Sequence, residues 1–270
     1  MNIIRMLVVA LFAGIATAHA GFEEGKAAFM QRDFEKAYKE FKPLADAGDE
    51  KSQHILGMMY DEGQGVRQDY KQAAKWYEKA AGRGNVDSAY NLGVMFAMGQ
   101  GVERDDVQSA KWFRIAAEKG HVLSQFALGR VTTIGRGVNQ DDKTANDWYR
   151  KAAEQGHFKS QLVLGKNYVE GKGVNKDPKK GFHWISRSAD QGHFKAQYEL
   201  AKMYRNGVGV KVDLVQAYKW YQLAANGDHE FAIMERDEIL KKMTAEQIAQ
   251  AKLLAAEWKP LQSVAQHLVK

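Results

Sequence analysis

Four histidines, His121, His157, His193 and His229, follow one another at a constant spacing of 36 residues. Imidazole is the commonest metal ligand and general base among the side chains, so such a ladder is the first place to look for chemistry. The ligands of a metal must converge within about 2 Å of one ion. If the spacing reflects stacked helical units, equivalent residues lie about 10 Å apart, roughly a helix diameter, and no two rungs share a metal. The two earlier positions of the series hold Asp49 and Asn85, residue types that cap helices. A role at the starts of helices is therefore expected for the histidines.

Other groups could also support chemistry. The carboxylate pairs Asp105/Asp106 and Asp141/Asp142 have the composition of an acid–base pair, yet they open expected helices, where the helix dipole favours negative charge. The recurring Gly-x-Gly elements have no strand before them, no third glycine and no Lys-Ser/Thr after them, so they match neither nucleotide-binding fingerprint. His229-Glu230 lacks a second histidine where Ile233 stands, and no serine has a lysine three residues later. With no cysteine in the chain, thiolate zinc sites, iron–sulfur clusters, thiol nucleophiles and disulfide scaffolds are excluded. No nucleophile, base and oxyanion site come together in the pattern. The expectation is a protein with no catalytic residue, metal site or cofactor, and not an enzyme.

The elements that position these residues follow from the periodicity. The chain has 270 residues, 45% of them hydrophobic and 27% charged, with net charge +6 and 25 glycines against 3 prolines. A mean hydropathy of −0.50 argues against a polytopic membrane protein. Trp76, Trp112, Trp148, Trp184 and Trp220 repeat every 36 residues. Leu56, Leu92, Leu128, Leu164 and Leu200 keep the same phase, as do Asp69, Asp105, Asp141, Asp177 and Asp213, and the Gly-x-Gly-Val elements that begin at Gly63, Gly99, Gly135, Gly171 and Gly207. A period of this size signals an array in which no unit buries its apolar face alone.

Each unit reads as two short helices. Helix A holds Leu56 and Tyr60 and stops at the glycine loop; helix B starts after the capping Asp69 and buries a stripe of Ala73, Trp76, Tyr77, Ala80 and Ala81. Gly57, Gly93, Gly129 and Gly165 lie inside helix A, where glycine costs about 1 kcal/mol against alanine. Their recurrence predicts a neighbouring helix crossing too closely for a side chain. Nothing alternates with period two, so strands are not expected and the fold class is all-α.

The ends of the chain differ from the repeats. Asn2 to Arg5 is a short positive start, Met6 to Ile15 is apolar, and Ala18-His19-Ala20 fits a signal-peptidase site. The expected organisation is a signal peptide over 1–20, an N-terminal capping helical pair over 21–49, five repeats over 50–229, and C-terminal capping helices over 230–270. Thr244 to Gln247 forms a capping-box sequence, and Phe231 to Met243 reads as a further helix. Export to the periplasm or beyond the cell follows from the signal peptide. An exported chain does not meet chromosomal DNA, so the mild basicity does not point to nucleic acid, and no membrane span is expected after cleavage.

Positions that differ between units within this chain mark a candidate binding face on helix A. Three such offsets share one face. The first includes Ile55, Asn91 and Glu199; the second Met58, Val94, Arg130, Lys166 and Lys202; the third Met98, Ile134 and Glu170. The early units offer apolar residues and the later ones a basic row. This favours a polypeptide partner with an apolar end and an acidic end.

The recurring pattern resembles the Sel1-like repeat, a relative of the tetratricopeptide repeat. In the unit 86–121 it runs Ser88, Leu92-Gly93, Phe96, Gly99-x-Gly101-Val102, Asp105, Trp112-Phe113 and Ala116-Ala117. The resemblance implies a right-handed α/α superhelical solenoid whose A helices line a concave groove, and a scaffold or adaptor role in signalling, envelope assembly or host contact. Some exported relatives are cysteine-rich and have been linked to penicillin binding; this chain has no cysteine for the corresponding clamp. The second function class is an envelope protein that binds a small molecule or glycan, such as a peptidoglycan fragment or β-lactam, which penicillin labelling would separate from the first.

Overall fold

A computed structural model describes residues 19–227 and 229–261. Most of the expected signal peptide, residues 1–18, and the last residues of the C-terminal cap, 262–270, lie outside the described residues. The described chain is helical throughout, without a strand. The first helix, α1, is described over 19–30, and α2 spans Phe34–Asp46. The A helices of the five repeats are α3 (Glu50–Glu62), α5 (Val86–Met98), α7 (Val122–Ile134), α9 (Phe158–Glu170) and α11 (Phe194–Asn206). Their B partners are α4 (Tyr70–Gly82), α6 (Asp106–Glu118), α8 (Asp142–Glu154), α10 (Pro178–Asp190) and α12 (Leu214–Asn226). Two further helices, α13 (Glu230–Leu240) and α14 (Ala245–Glu257), follow. This is the α/α solenoid class of fold.

Local rules set the helix ends. Each B helix begins at the aspartate the periodicity singles out, and Asp69, Asp105, Asp141, Asp177 and Asp213 all accept backbone N–H groups of the first turn. Pro178 takes the first helical position, where its missing N–H is no loss. The A helix α3 stops at Gly63 (φ +71°), and the N–H groups of Gly63 and Gln64 both reach Met59 O. The chain then returns so that Asp69 N–H donates to Tyr60 O. Thr244 and Gln247 form the expected capping box, but the helix before it ends at Leu240 rather than Met243, because the chain turns through Lys241 and Lys242 first.

Two glycine sets have distinct jobs. A Cβ on Gly57 would stand 2.5 Å from the Tyr77 ring, and one on Gly129 2.7 Å from the Tyr149 ring, so the helical glycines admit the residue after the tryptophan from the B helix of the same repeat. The second glycine of each loop does more than turn. A Cβ on Gly101 would lie 2.1 Å from Tyr70 O, and one on Gly209 2.1 Å from Pro178 O. Each loop thus rests its bare backbone on the first turn of the preceding B helix.

The chain divides into two units, 1–124 with 136–138, and 125–135 with 139–270. In the first, Trp76 joins Phe41, Leu56 and Met59, and Tyr77 joins Leu92 and Met95. The indole therefore packs with its own A helix and with α2 before it, and burial of such side chains between neighbouring helix pairs supplies cohesion that a disulfide-free array needs. In the second, Ile185, Leu200, Trp220 and Tyr221 form one core with Ala232, Ile239 and Ala251 of the last two helices. Trp258 meets Trp220 edge-on there, with ring centroids 6.0 Å apart. No helix among the described residues is long and apolar enough to cross a membrane.

Candidate functional site

The ladder histidines are engaged in packing and capping. His121 and His157 each accept the N–H of the serine three residues on and pair with its hydroxyl, Nδ1 to Oγ 2.8 Å in both cases. Asp49 and Asn85 serve the same purpose with Ser52 and Ser88. The capping expectation fails for the last two rungs: His193 and His229 make no side-chain cap, and His193 Nδ1 lies 3.2 Å from Ser188 Oγ instead. Ser188 comes from the B helix and also donates to Phe158 O, so a side chain the periodicity did not single out holds this ring.

In the second unit these rings alternate with aromatic side chains. His157 lies against Phe126 at 4.7 Å, Phe158 against His193 at 4.7 Å, and His229 stacks on Tyr198 at 4.2 Å. Burial, aided by Lys159, lowers the pKa of His157 to about 4. Burial with Lys195 and Lys159 does the same to His193, also to about 4. Both rings are neutral at pH 7 and serve as flat, half-polar core pieces.

The A-helix face of the first unit is apolar but partly used by the core. Ile55 packs against the cluster of Phe41 and Leu56, and Met58 against that of Tyr77 and Leu92. Asn91 is hydrogen-bonded with the Tyr77 hydroxyl. Val94 is half-buried, and Met98 is 65% exposed at the end of α5. The freely presented apolar group is therefore Met98, where the sequence suggested a longer apolar stretch.

The basic row of the second unit is less bare than its sequence. Lys166 Nζ lies 3.0 Å from Glu199 Oε1, and Lys202 Nζ lies 3.1 Å from Glu199 Oε2. Burial raises the Glu199 carboxyl, but the two ammonium groups outweigh it and hold the pKa below its ordinary value. One carboxylate thus joins α9 to α11. Beside it opens a cleft of about 210 Å³ with Val169, Ile185, Met203 and Val208 as its apolar lining and Lys166, Glu170, Glu199 and Lys202 among its charged groups. Arg130 is exposed with its guanidinium 5.9 Å from the Phe126 ring, and Ile134 is 62% exposed.

Sequence reading missed the division of labour within the aspartate pairs. Asp105 and Asp141 cap their own helices, whereas Asp106 and Asp142 reach the loop of the next repeat. Arg136 Nε lies 2.8 Å from Asp106 Oδ1, and Arg136 also donates to Ala97 O; Lys172 Nζ lies 3.6 Å from Asp142 Oδ1. A signal was present. The residue between the loop glycines is a cation only where the preceding B helix begins with a second aspartate; elsewhere Gln100 follows Tyr70 and Val208 follows Pro178.

Helix pairs closed by bare-glycine loops, with an A-helix face that changes from repeat to repeat, define a repeat scaffold. Residues 51–85, 86–121, 122–157, 159–193 and 194–229 each match the Sel1 repeat, and the chain belongs to that family. Sel1 repeat proteins act as protein-interaction scaffolds and are typically non-catalytic. A Sel1 repeat protein from Oxalobacter formigenes is similar in structure, with 31% identity and a TM-score of 0.73 over 76% of this chain and 84% of that one. A protective antigen of uropathogenic Escherichia coli with an SLR fold shares 27% identity over 89% of this chain and 76% of its own, with a TM-score of 0.46. A search of curated proteins gave no match.

Proposed function

We propose that the chain is an exported, non-catalytic scaffold, periplasmic or secreted, that binds a protein or peptide on its A-helix face. The observation that carries the reading is the cleft between α9 and α11. Its lining combines Ile185 and Met203 with Lys166, Glu199 and Lys202 at A-helix positions that differ from repeat to repeat. This suits a polypeptide that offers an apolar side chain next to an acidic one.

The test places a photocrosslinking amino acid at Lys166 and, as a control, at Lys151 on α8, in the cell that makes the protein. A discrete crosslinked polypeptide from position 166 alone, lost when Arg130 and Lys202 are changed to glutamate with helicity intact, is the expected result. Equal products from both positions, or capture unchanged by the charge reversal, overturns it. An amino terminus beginning at Gly21 in the exported fraction tests the location.

A further inference from the structure

A second, separate cleft lies on the loop side of the second unit. Its volume is about 750 Å³, and Lys143, Arg150, Tyr168, Lys176 and Lys180 line it. Asp147 and Asp177 are the carboxylates in its lining, so its cations exceed its acids by two. Both carboxylates are already engaged. Asp147 lies 2.9 Å from Arg150 Nη1, and Asp177 caps α10 while lying 3.6 Å from Lys180 Nζ. Lys143 and Lys176 form no ion pair among the described residues.

The repeat does not require this surplus. One register later the corresponding positions hold Lys179, His183, Ser186, Tyr204, Lys211, Val212, Asp213 and Gln216, two lysines against one aspartate, and the helices there form equally well. The capping aspartate and the lysine at the Lys143 position recur, whereas Arg150, Lys176 and Lys180 have no cationic counterpart there. Tyr168, with Lys180 Nζ 5.7 Å from its ring centroid and a hydrogen bond with Arg150, is the one aromatic group of the lining, and Val174 is its other large apolar side chain.

We propose that this cleft binds an anionic saccharide, a sugar bearing a phosphate or a carboxylate. The acid group meets Lys143 and Lys176, and the sugar ring lies against Tyr168. A pocket of this volume holds a monosaccharide with room for water. Lysine ammonium groups are point charges that accept either acid, so the recognised chemistry is the charge beside a hydroxyl-rich ring. With few apolar side chains in the lining, little is left to hold those of a peptide. The site shares no residue with the A-helix face and stands whether or not that face binds a polypeptide.

The test is calorimetric titration of the full chain with glucose 6-phosphate, glucuronate, glucose, inorganic phosphate and hexaglutamate. Saturable binding of one or both acidic sugars, well above that of glucose and phosphate, is expected, and which of the two binds identifies the acid group. The K143Q/K176Q variant weakens it by about tenfold or more, as for the loss of two charge-assisted hydrogen bonds. The K179Q/K211Q variant removes the same charge elsewhere and leaves binding unchanged; helicity by circular dichroism verifies both folds. Equal weakening by the two variants overturns the proposal. So does phosphate or hexaglutamate binding as tightly as the sugars, or no saturable binding by either acidic sugar.

Discussion

The two ends of each repeat obey different kinds of constraint. At one end, the second loop glycine takes the same left-handed conformation five times, with φ between +65° and +73°, against a carbonyl of the preceding B helix. At the other end, the residue that starts helix A runs Asp49, Asn85, His121, His157, His193, His229. There a carboxylate, an amide and an imidazole each satisfy the same backbone donor, and the last two histidines give up the cap. A steric constraint from backbone on backbone has one solution. A hydrogen-bond requirement has several, so that end drifts in residue type while the geometry holds.

One methyl group added at each end separates the two constraints. Gly101→Ala places a Cβ 2.1 Å from Tyr70 O at φ +70°. It is expected to lose about 3 kcal/mol or more, from left-handed strain plus displaced backbone. Gly156→Ala, at the helix-start end, has φ +92° and nothing within 4 Å of the new atom. Strain alone remains, about 1–2 kcal/mol. Urea denaturation of the two variants measures the difference; equal losses would mean that the loop contact is not what fixes Gly101.

A pH series probes the drifting end. The folded His157 has a pKa of about 4, depressed below its unfolded value. Between those two values the unfolded chain binds a proton that the folded chain refuses, so stability falls as pH drops from about 6.5 towards 4 and then levels. The full effect of His157, which is 3% exposed, is about 3 kcal/mol as an upper bound. His157→Asn copies the cap used at Asn85 and carries no titrating ring. Its acid limb should be visibly flatter than that of the parent in denaturation followed across this range. An unchanged limb would assign the acid sensitivity to other groups.

The loop end was the more legible in the sequence because its constraint leaves a fixed residue. Gly-x-Gly-Val and the capping aspartate recur in phase, and the structure puts them where the period says. Even so, the close approach at the second glycine was not legible there, since the carbonyl of Tyr70 above Gly101 comes from another repeat. The candidate face was legible as a set of positions but not as an electrostatic surface. Lys166, Glu199 and Lys202 sit at two different offsets, and only folding brings one carboxylate between two lysines. Likewise, His193 and His229 share the ladder's spacing but not its hydrogen bond, because the groups around them come from α10 and α11.

The aspartate pair at the start of α6 offers the finest test, because the two ends' constraints meet there in adjacent residues. Asp105 accepts the N–H groups of Val107 and Gln108, both within its own repeat. Asp105→Ala is expected to lose about 1 kcal/mol, the usual value of an N-cap. Asp106 instead holds Arg136 of the following loop on the surface, where ion pairs are weak and salt screens them. Asp106→Asn should therefore cost less than the cap, and its effect should shrink with ionic strength by a larger fraction than that of Asp105→Ala, whose directional hydrogen bonds remain when its attraction to the helix dipole is screened. A salt-insensitive loss at Asp106 would mean that its carboxylate acts through hydrogen-bond geometry rather than charge. The loop would then be fixed by the same kind of directional contact as the helix start, and the contrast between the two ends would rest on the glycines alone.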